Sequence, residues 1–477
     1  MSEPLWTSAD IEAATGGAAS APFAVSGLSI DTRTLEPGDL FVALADVRDG
    51  HDFAARAFEA GATGALISRD TDGRGPFLKV DDVLIALEAM AVAARARSGA
   101  IRAAVTGSVG KTSVKEMLAR IFRAVGPAHW PEKSFNNHWG VPLTLARMPA
   151  ETVRAVFEIG MSTPGEIAPR SKLVRPHHAL VTKIAPAHLE GLGSVEGVAR
   201  EKAEIFIGLE AGGTVIVPED DPFRGLLAER GRAACPTATV ESFGKGEDAT
   251  ARLVESTSDG VASRFVVNVA GQRAVVTLNA VGEHWGVNAA AALLVATLTG
   301  VSLVDAAEAL SGFAPPPGRG TSETLHLPDG GTATLIDDAY NANPESMRAA
   351  LSALGKRPGG RRLVALGEML EIGAGSEAAH AGLADPILAS EAKIAFLSGG
   401  GMEALDSALA GRVETHFGAS SDSILDKVKK ALTNGDILLI KGSNASGMGR
   451  LADALREWSA VESAMDTGAR TERDGRG

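Results

Sequence analysis

The chain has 477 residues, 45% of them hydrophobic, and a formal net charge of -13 with a pI near 5.4. That length points to about three domains, and an acidic balance without a dense Lys/Arg block argues against a nucleic-acid partner. The single cysteine, Cys235, excludes an internal disulfide framework or a thiolate metal cluster. With no signal-like N-terminus and no long apolar run, a cytoplasmic protein without stable membrane insertion is expected.

In chain order, residues 1–98 read as a small α/β module. Strand-like Leu28 to Ile30 and Leu40 to Leu44 flank the Pro37-Gly38 turn. A helical run from Phe53 to Ala60, a strand from Gly64 to Ser68 and an alanine-rich helix from Val83 to Arg97 follow. From 99 to 314 strands and helices alternate, predicting a mostly parallel sheet covered on both faces. Strands are expected at Ile101 to Val105, Val153 to Ile159, Ala179 to Ile184 and Thr214 to Val217, and helices at Val114 to Val125, Ser194 to Ile207 and Asn288 to Thr299. Alternating Ser263 to Val269 and Arg273 to Leu278 read as a hairpin insertion. Pro315-Pro316-Pro317-Gly318-Arg319-Gly320 can continue neither helix nor central strand and reads as a linker. A second α/β alternation fills 315–464, with strands near 334–337, 362–366, 394–397 and 436–440 and a helix from Pro344 to Leu354. The stretch 465–477, small and charged without apolar periodicity, reads as a disordered tail.

The most specific motif is Thr106-Gly107-Ser108-Val109-Gly110-Lys111-Thr112-Ser113, between a strand and a helix. Glycines let the backbone amides wrap phosphate oxygens, the helix N-terminus faces the anion, Lys111 reaches the terminal phosphates, and Thr112 binds Mg²⁺. Only Ser108 and Val109 separate its two glycines, fewer than in the usual loop. Glu158, at a strand end, reads as a metal ligand or a surface carboxylate. His188 lies in the turn after the Ala179 strand, as a ligand or a solvated ring. Lys202 reads locally as a helical salt-bridge lysine between Glu201 and Glu204. Asn288 offers a donor and an acceptor matching an adenine edge, or an N-cap. In Asp337-Asp338-Ala339-Tyr340-Asn341-Ala342-Asn343-Pro344, capping explains Asn343 and Pro344 but not two adjacent carboxylates and the only tyrosine. Lys441, after the last strand, reads as a site cation or a solvated lysine.

Together these segments, with Ser134-Phe135-Asn136-Asn137-His138-Trp139-Gly140, resemble the Mur ligases, ATP-dependent amide-forming enzymes of peptidoglycan precursor synthesis. The resemblance implies three α/β domains: a uridine-nucleotide domain, a P-loop ATPase domain with a mostly parallel sheet, and a Rossmann-like domain. Asp31-Thr32-Arg33 and the 337–344 segment look like the branch that adds D-alanyl-D-alanine to UDP-N-acetylmuramoyl-tripeptide through an acyl phosphate. The Asp-Asn-Pro-Arg signature of the diamino-acid-adding branch is absent. That branch and the folylpolyglutamate synthases are the nearest alternatives, and an ATP-driven binding switch is a more distant one.

By resemblance, Lys111, Lys202, His188 and Arg319 carry the chemistry, and Thr112, Glu158, His188 and Lys202 the metal, with Lys202 as a carbamate. Gly107, Ser108, Val109, Gly110, Lys111, Thr112, Ser113, Asn288, Asp337 and Tyr340 would bind ATP. Asp31, Thr32, Arg33, Asn136, Asn137, Asn341, Asn343, Lys441 and Asn444 would bind the peptide substrates, and a monomer is expected. Three departures from the family pattern stand out: Ser162-Thr163, Trp285 and Asn444.

Overall fold

The computed structural model describes residues 3–132, 134–186 and 189–474. A five-stranded sheet forms the N-terminal unit, in the order Ala18–Ala19, Phe77–Lys79, Gly64–Ile67, Asp39–Val42, Gly27–Ser29, parallel except for its first pair. The helix Val83–Arg97 then packs on the helix Gly140–Ala146 of the next unit. Trp6, Leu28, Met90 and Ala94 share one buried cluster with Leu143, Leu145 and Phe157, so the apolar core runs unbroken between the two units.

The central sheet has nine strands. An inner strand, Ile101–Thr106, third from one edge, is buried almost throughout and lies parallel to Arg154–Glu158 on one side and His178–Val181 on the other. A strand covered on both faces reads as a continuous apolar run. Ser263–Val269 and Gln272–Leu278 do form an antiparallel pair, but with Ala251–Ser258 they extend the sheet edge rather than standing apart as an insertion. The reason is visible in the burial: Leu253, Phe265, Val267 and Val276 join the core under the sheet.

Two helices begin earlier than periodicity suggested. The phosphate-loop helix is Lys111–Ala124, because Lys111 to Ser113 form its first turn. Below them Val114, Met117, Leu118, Ile121 and Phe122 are buried at helical spacing. The alanine-rich helix is Glu283–Leu298, starting after Gly282. Asn288 is therefore inside the helix and caps nothing.

After the Pro-rich segment, a six-stranded sheet takes the order Thr321–His326, Thr332–Asp338, Ile437–Lys441, Arg362–Gly367, Ile394–Ser398, Glu414–Gly418. Only its first pair is antiparallel. Separate buried clusters on its two faces give this unit its own core. The last helix, Met448–Asp474, continues across most of the stretch read as an irregular tail. That stretch is the outward extension of a helix whose first turns are anchored by buried Met448, Leu451, Ala452 and Leu455. Among the described residues no helix is long and apolar enough to cross a membrane.

Candidate functional site

The phosphate loop opens at the carboxyl end of the strand Ile101–Thr106, where ligands bind in open α/β sheets. Gly107 has φ +145°, and a Cβ there would stand 1.9 Å from Thr182 Oγ1; Gly110 has φ +87° and starts the helix. Only glycine fits either position. The loop is braced from the neighbouring strand end. Ser108 N–H donates to the Lys183 carbonyl (2.8 Å), Ser108 Oγ donates to the Ala185 carbonyl (3.0 Å), and the Thr182 hydroxyl donates to the Val109 carbonyl.

Lys111 Nζ donates to the Gly107 carbonyl at 2.7 Å and borders the cleft. Enclosure by protein lowers its pKa, Glu158 opposes that shift and the charge of Arg319 adds to it. Glu158 is 1% exposed, which rules out a surface carboxylate. Its two oxygens accept from Thr112 Oγ1 and Asn136 Nδ2, each at 2.8 Å. Lys202 is also 1% exposed. Burial pushes its pKa well below that of an ordinary lysine, and Lys111 and Arg170 push it the same way. A surface salt bridge is excluded for it too. Glu201 instead accepts from Gly165 N–H at 3.0 Å.

Facing this wall across a cleft of about 940 Å³ stands the C-terminal unit. Of the expected site residues, Ser108 to Ser113, Asn136, Asn137, Glu158, Asn288, Arg319, Tyr340, Asn341, Asn343 and Lys441 line the cleft. The Asn288 amide lies beside Gly110: a Cβ at Gly110 would come within 2.9 Å of its Oδ1. Lys441 is buried, not solvated, and pairs with Asp338 at 2.8 Å while donating to the Asn341 carbonyl at 2.9 Å. Burial raises the Asp338 pKa and Lys441 opposes the rise. Asn343 caps the helix Pro344–Gly355, accepting from Ser346 N–H at 2.9 Å.

Other expected residues lie elsewhere. Of the two adjacent carboxylates, Asp338 borders the cleft, whereas Asp337 is buried behind the strand and pairs with Arg456 at 2.6 Å. Alternation along a strand sends neighbours to opposite faces. Asn444 is exposed in a 3-10 turn outside the cleft. Asp31, Thr32 and Arg33 follow the strand Gly27–Ser29 in the N-terminal unit, where Arg33 pairs with Asp31 at 2.6 Å. His188 lies outside the described residues.

Three cleft residues escaped the sequence reading. Arg170 is buried, donates to the Gly160 carbonyl and pairs with Glu166 at 3.4 Å. Asp221 accepts from Ile184 N–H at 2.9 Å and so fixes the loop that braces Ser108. Lys183 reaches across to Glu345 in the C-terminal unit. Glu166 and Arg170 at i,i+4 were the one local signal.

The donor set fits a nucleotide with Mg²⁺. Among the described residues no three His, Cys, Asp or Glu groups converge on a metal cage. Mg²⁺ is usually held by one or two carboxylates together with substrate phosphates and water, which matches a lone Glu158 beside the loop threonine.

A braced phosphate loop facing a second α/β unit across a cleft defines a P-loop nucleotide-binding protein whose site is completed by a second unit. Residues 105–296 match the Mur ligase middle domain, and 323–444 the Mur ligase glutamate ligase domain. The UDP-N-acetylmuramoyl-tripeptide--D-alanyl-D-alanine ligase of Escherichia coli is 36% identical over 92% of this chain and 95% of its own. Its Bacillus subtilis namesake is 34% identical over 91% and 93%. A crystal structure of MurF from Acinetobacter baumannii superposes with a TM-score of 0.81 at 30% identity, covering 95% of this chain and 99% of that one. The chain belongs to the Mur ligase family.

Proposed function

We propose that this chain joins D-alanyl-D-alanine to UDP-N-acetylmuramoyl-tripeptide with ATP, as a cytoplasmic monomer. The observation that carries the reading is the cleft itself, with Lys111, Thr112 and Glu158 on one wall and Arg319 on the other, in a chain alike over nearly its whole length to ligases of that name.

A carboxylate is a poor electrophile, so amide formation needs a better leaving group. An oxygen of the tripeptide's terminal carboxylate attacks the γ-phosphorus and ADP leaves. The amine nitrogen of D-alanyl-D-alanine then attacks the acyl carbon, loses a proton, and phosphate departs with the activating oxygen. Lys111, the loop amides and Arg319 offset the charge that gathers as two anions meet, the kind of preorganised electrostatics that carries phosphoryl transfer. Thr112, Glu158, His188 and Lys202 are the residues we assign to Mg²⁺, which supplies further charge neutralisation when bound. For Lys202 we propose a carbamate: burial favours the neutral amine, the form that reacts with CO₂, and the product is an oxygen ligand. A short carboxylic acid is then expected to restore activity to Lys202→Ala. An active Lys202→Ala needing no rescue rejects the role.

Purified protein tested for phosphate release against a panel of UDP-muramoyl peptides and amines checks the whole reading. Release is expected only with the tripeptide and D-alanyl-D-alanine together. Lys111→Ala lowers it by about a thousandfold or more while UDP-substrate binding persists. Wild-type turnover in that variant, or release independent of both substrates, contradicts the mechanism.

A further inference from the structure

Arg319 stands where the cleft meets a second cavity of about 550 Å³, and it lines both. That second cavity is walled by Thr112, Glu116, Glu132, Asn136, Pro316 and Tyr340, among others. Among the described residues no carboxylate forms an ion pair with Arg319. Its guanidinium instead lies over the Tyr340 ring, 3.9 Å from the centroid. The turn carrying it is clamped to the C-terminal sheet on both sides. Tyr340 N–H donates to the Gly318 carbonyl at 2.9 Å, and Gly320 N–H donates to the Asp337 carbonyl at 2.7 Å. Asp337 is in turn held by Arg456. Arg319 is therefore carried by the C-terminal unit although it belongs to the linker sequence. No described protein group hydrogen-bonds the Tyr340 hydroxyl, and the residue stays 37% exposed. Its ring is the part in use.

We propose that Tyr340 is a positioning residue: its ring holds the Arg319 guanidinium flat and unpaired at the junction of the two cavities, aimed at the transferring phosphoryl group. A carboxylate partner would fix the arginine equally well but would cancel the charge needed there. An aromatic face fixes it and leaves the charge available. Free arginine on a linker would sample many rotamers, and the ring removes that freedom before the phosphoryl group arrives. The proposal rests on the ligase reading above and goes beyond it. It gives the only tyrosine of the chain a task other than contacting nucleotide.

The test is steady-state kinetics of Tyr340→Leu, Tyr340→Phe, Arg319→Ala and Tyr340→Leu/Arg319→Ala, in the full chain with ATP and both peptide substrates. Tyr340→Leu lowers kcat by about tenfold, with KM for ATP within about twofold, as for loss of one cation–π contact at a reacting centre. Tyr340→Phe, which keeps the ring, restores most of that loss. The double variant is no slower than Arg319→Ala alone, because the tyrosine acts only through the arginine. Fully additive losses, or a Tyr340→Phe as slow as Tyr340→Leu, overturn the proposal in favour of a direct substrate contact by the hydroxyl.

A second readout needs no turnover. Chain labelled with fluorotyrosine gives one fluorine NMR resonance, which Arg319→Ala shifts if the stack exists in solution. An unmoved resonance overturns the proposal while leaving the ligase reading intact. An inactive wild type with a shifted resonance faults the ligase reading instead.

Discussion

The two junctions between the three units are built from different materials. At the first, Trp6 is 2% exposed, donates from Nε1 to the Ala146 carbonyl at 2.9 Å and lies under Arg97, 4.0 Å from its ring. Arg147 reaches back to the Leu28 carbonyl at 2.8 Å, and the apolar cluster passes through without a break. At the second, the units face each other across a cleft, and the described ion pair that spans it, Lys183 with Glu345, is nearly half exposed on both sides. Burial fixes the first joint, and no continuous core ties the second. A ligase needs both: one substrate domain held in register with the phosphate loop, and one wall that withdraws to admit substrates and returns to exclude water from an acyl phosphate.

Three substitutions, two at the joints and one in the C-terminal wall between them, test this division in falling order of effect. Trp6→Ala strikes the fixed joint, and loss of a buried tryptophan costs about 3–5 kcal/mol. Calorimetry is expected to show the N-terminal and central units melting lower and apart from each other, and an unchanged profile would mean that the core is not continuous. Lys441→Met leaves Asp338 partly buried without its cation. The cost is up to about 3 kcal/mol in the C-terminal unit, since Asp338 keeps some contact with water. Chemical denaturation should place that loss in the C-terminal transition alone. Lys183→Ala removes the exposed bridge, worth no more than about 1 kcal/mol. Its expected mark is a KM for ATP changed less than about fivefold, with the difference fading at high salt. A larger, salt-independent effect would make the second joint as fixed as the first.

How far the sequence could be read follows the same division. The phosphate loop, Glu158 and the helix Val83–Arg97 are announced by contiguous motifs and periodicity, even though the contacts they then make reach far along the chain. The opposite wall is assembled from residues far apart in the chain. Asp338 meets Lys441 from 103 positions away, and Arg456 meets Asp337 from 119. No spacing rule exposes such pairs, so Asp337 and Asp338 were indistinguishable until the strand gave them opposite faces. Asn288 was legible as a site residue at the start of a helix but not as a residue inside one, because Glu283 to Val287 carry no helical apolar pattern. Lys202 and Lys441 were legible as cations only; burial, which removes the solvated reading, comes from tertiary packing.

The central claim is that the tripeptide's own carboxylate is phosphorylated. Tripeptide carrying isotopically heavy oxygen in that carboxylate, turned over with ATP and D-alanyl-D-alanine, tests it directly by mass spectrometry of the released phosphate. One heavy oxygen per phosphate, in step with amide formed, is the predicted result. Phosphate without the label would mean that water, not the carboxylate, had taken the phosphoryl group, and would contradict the account.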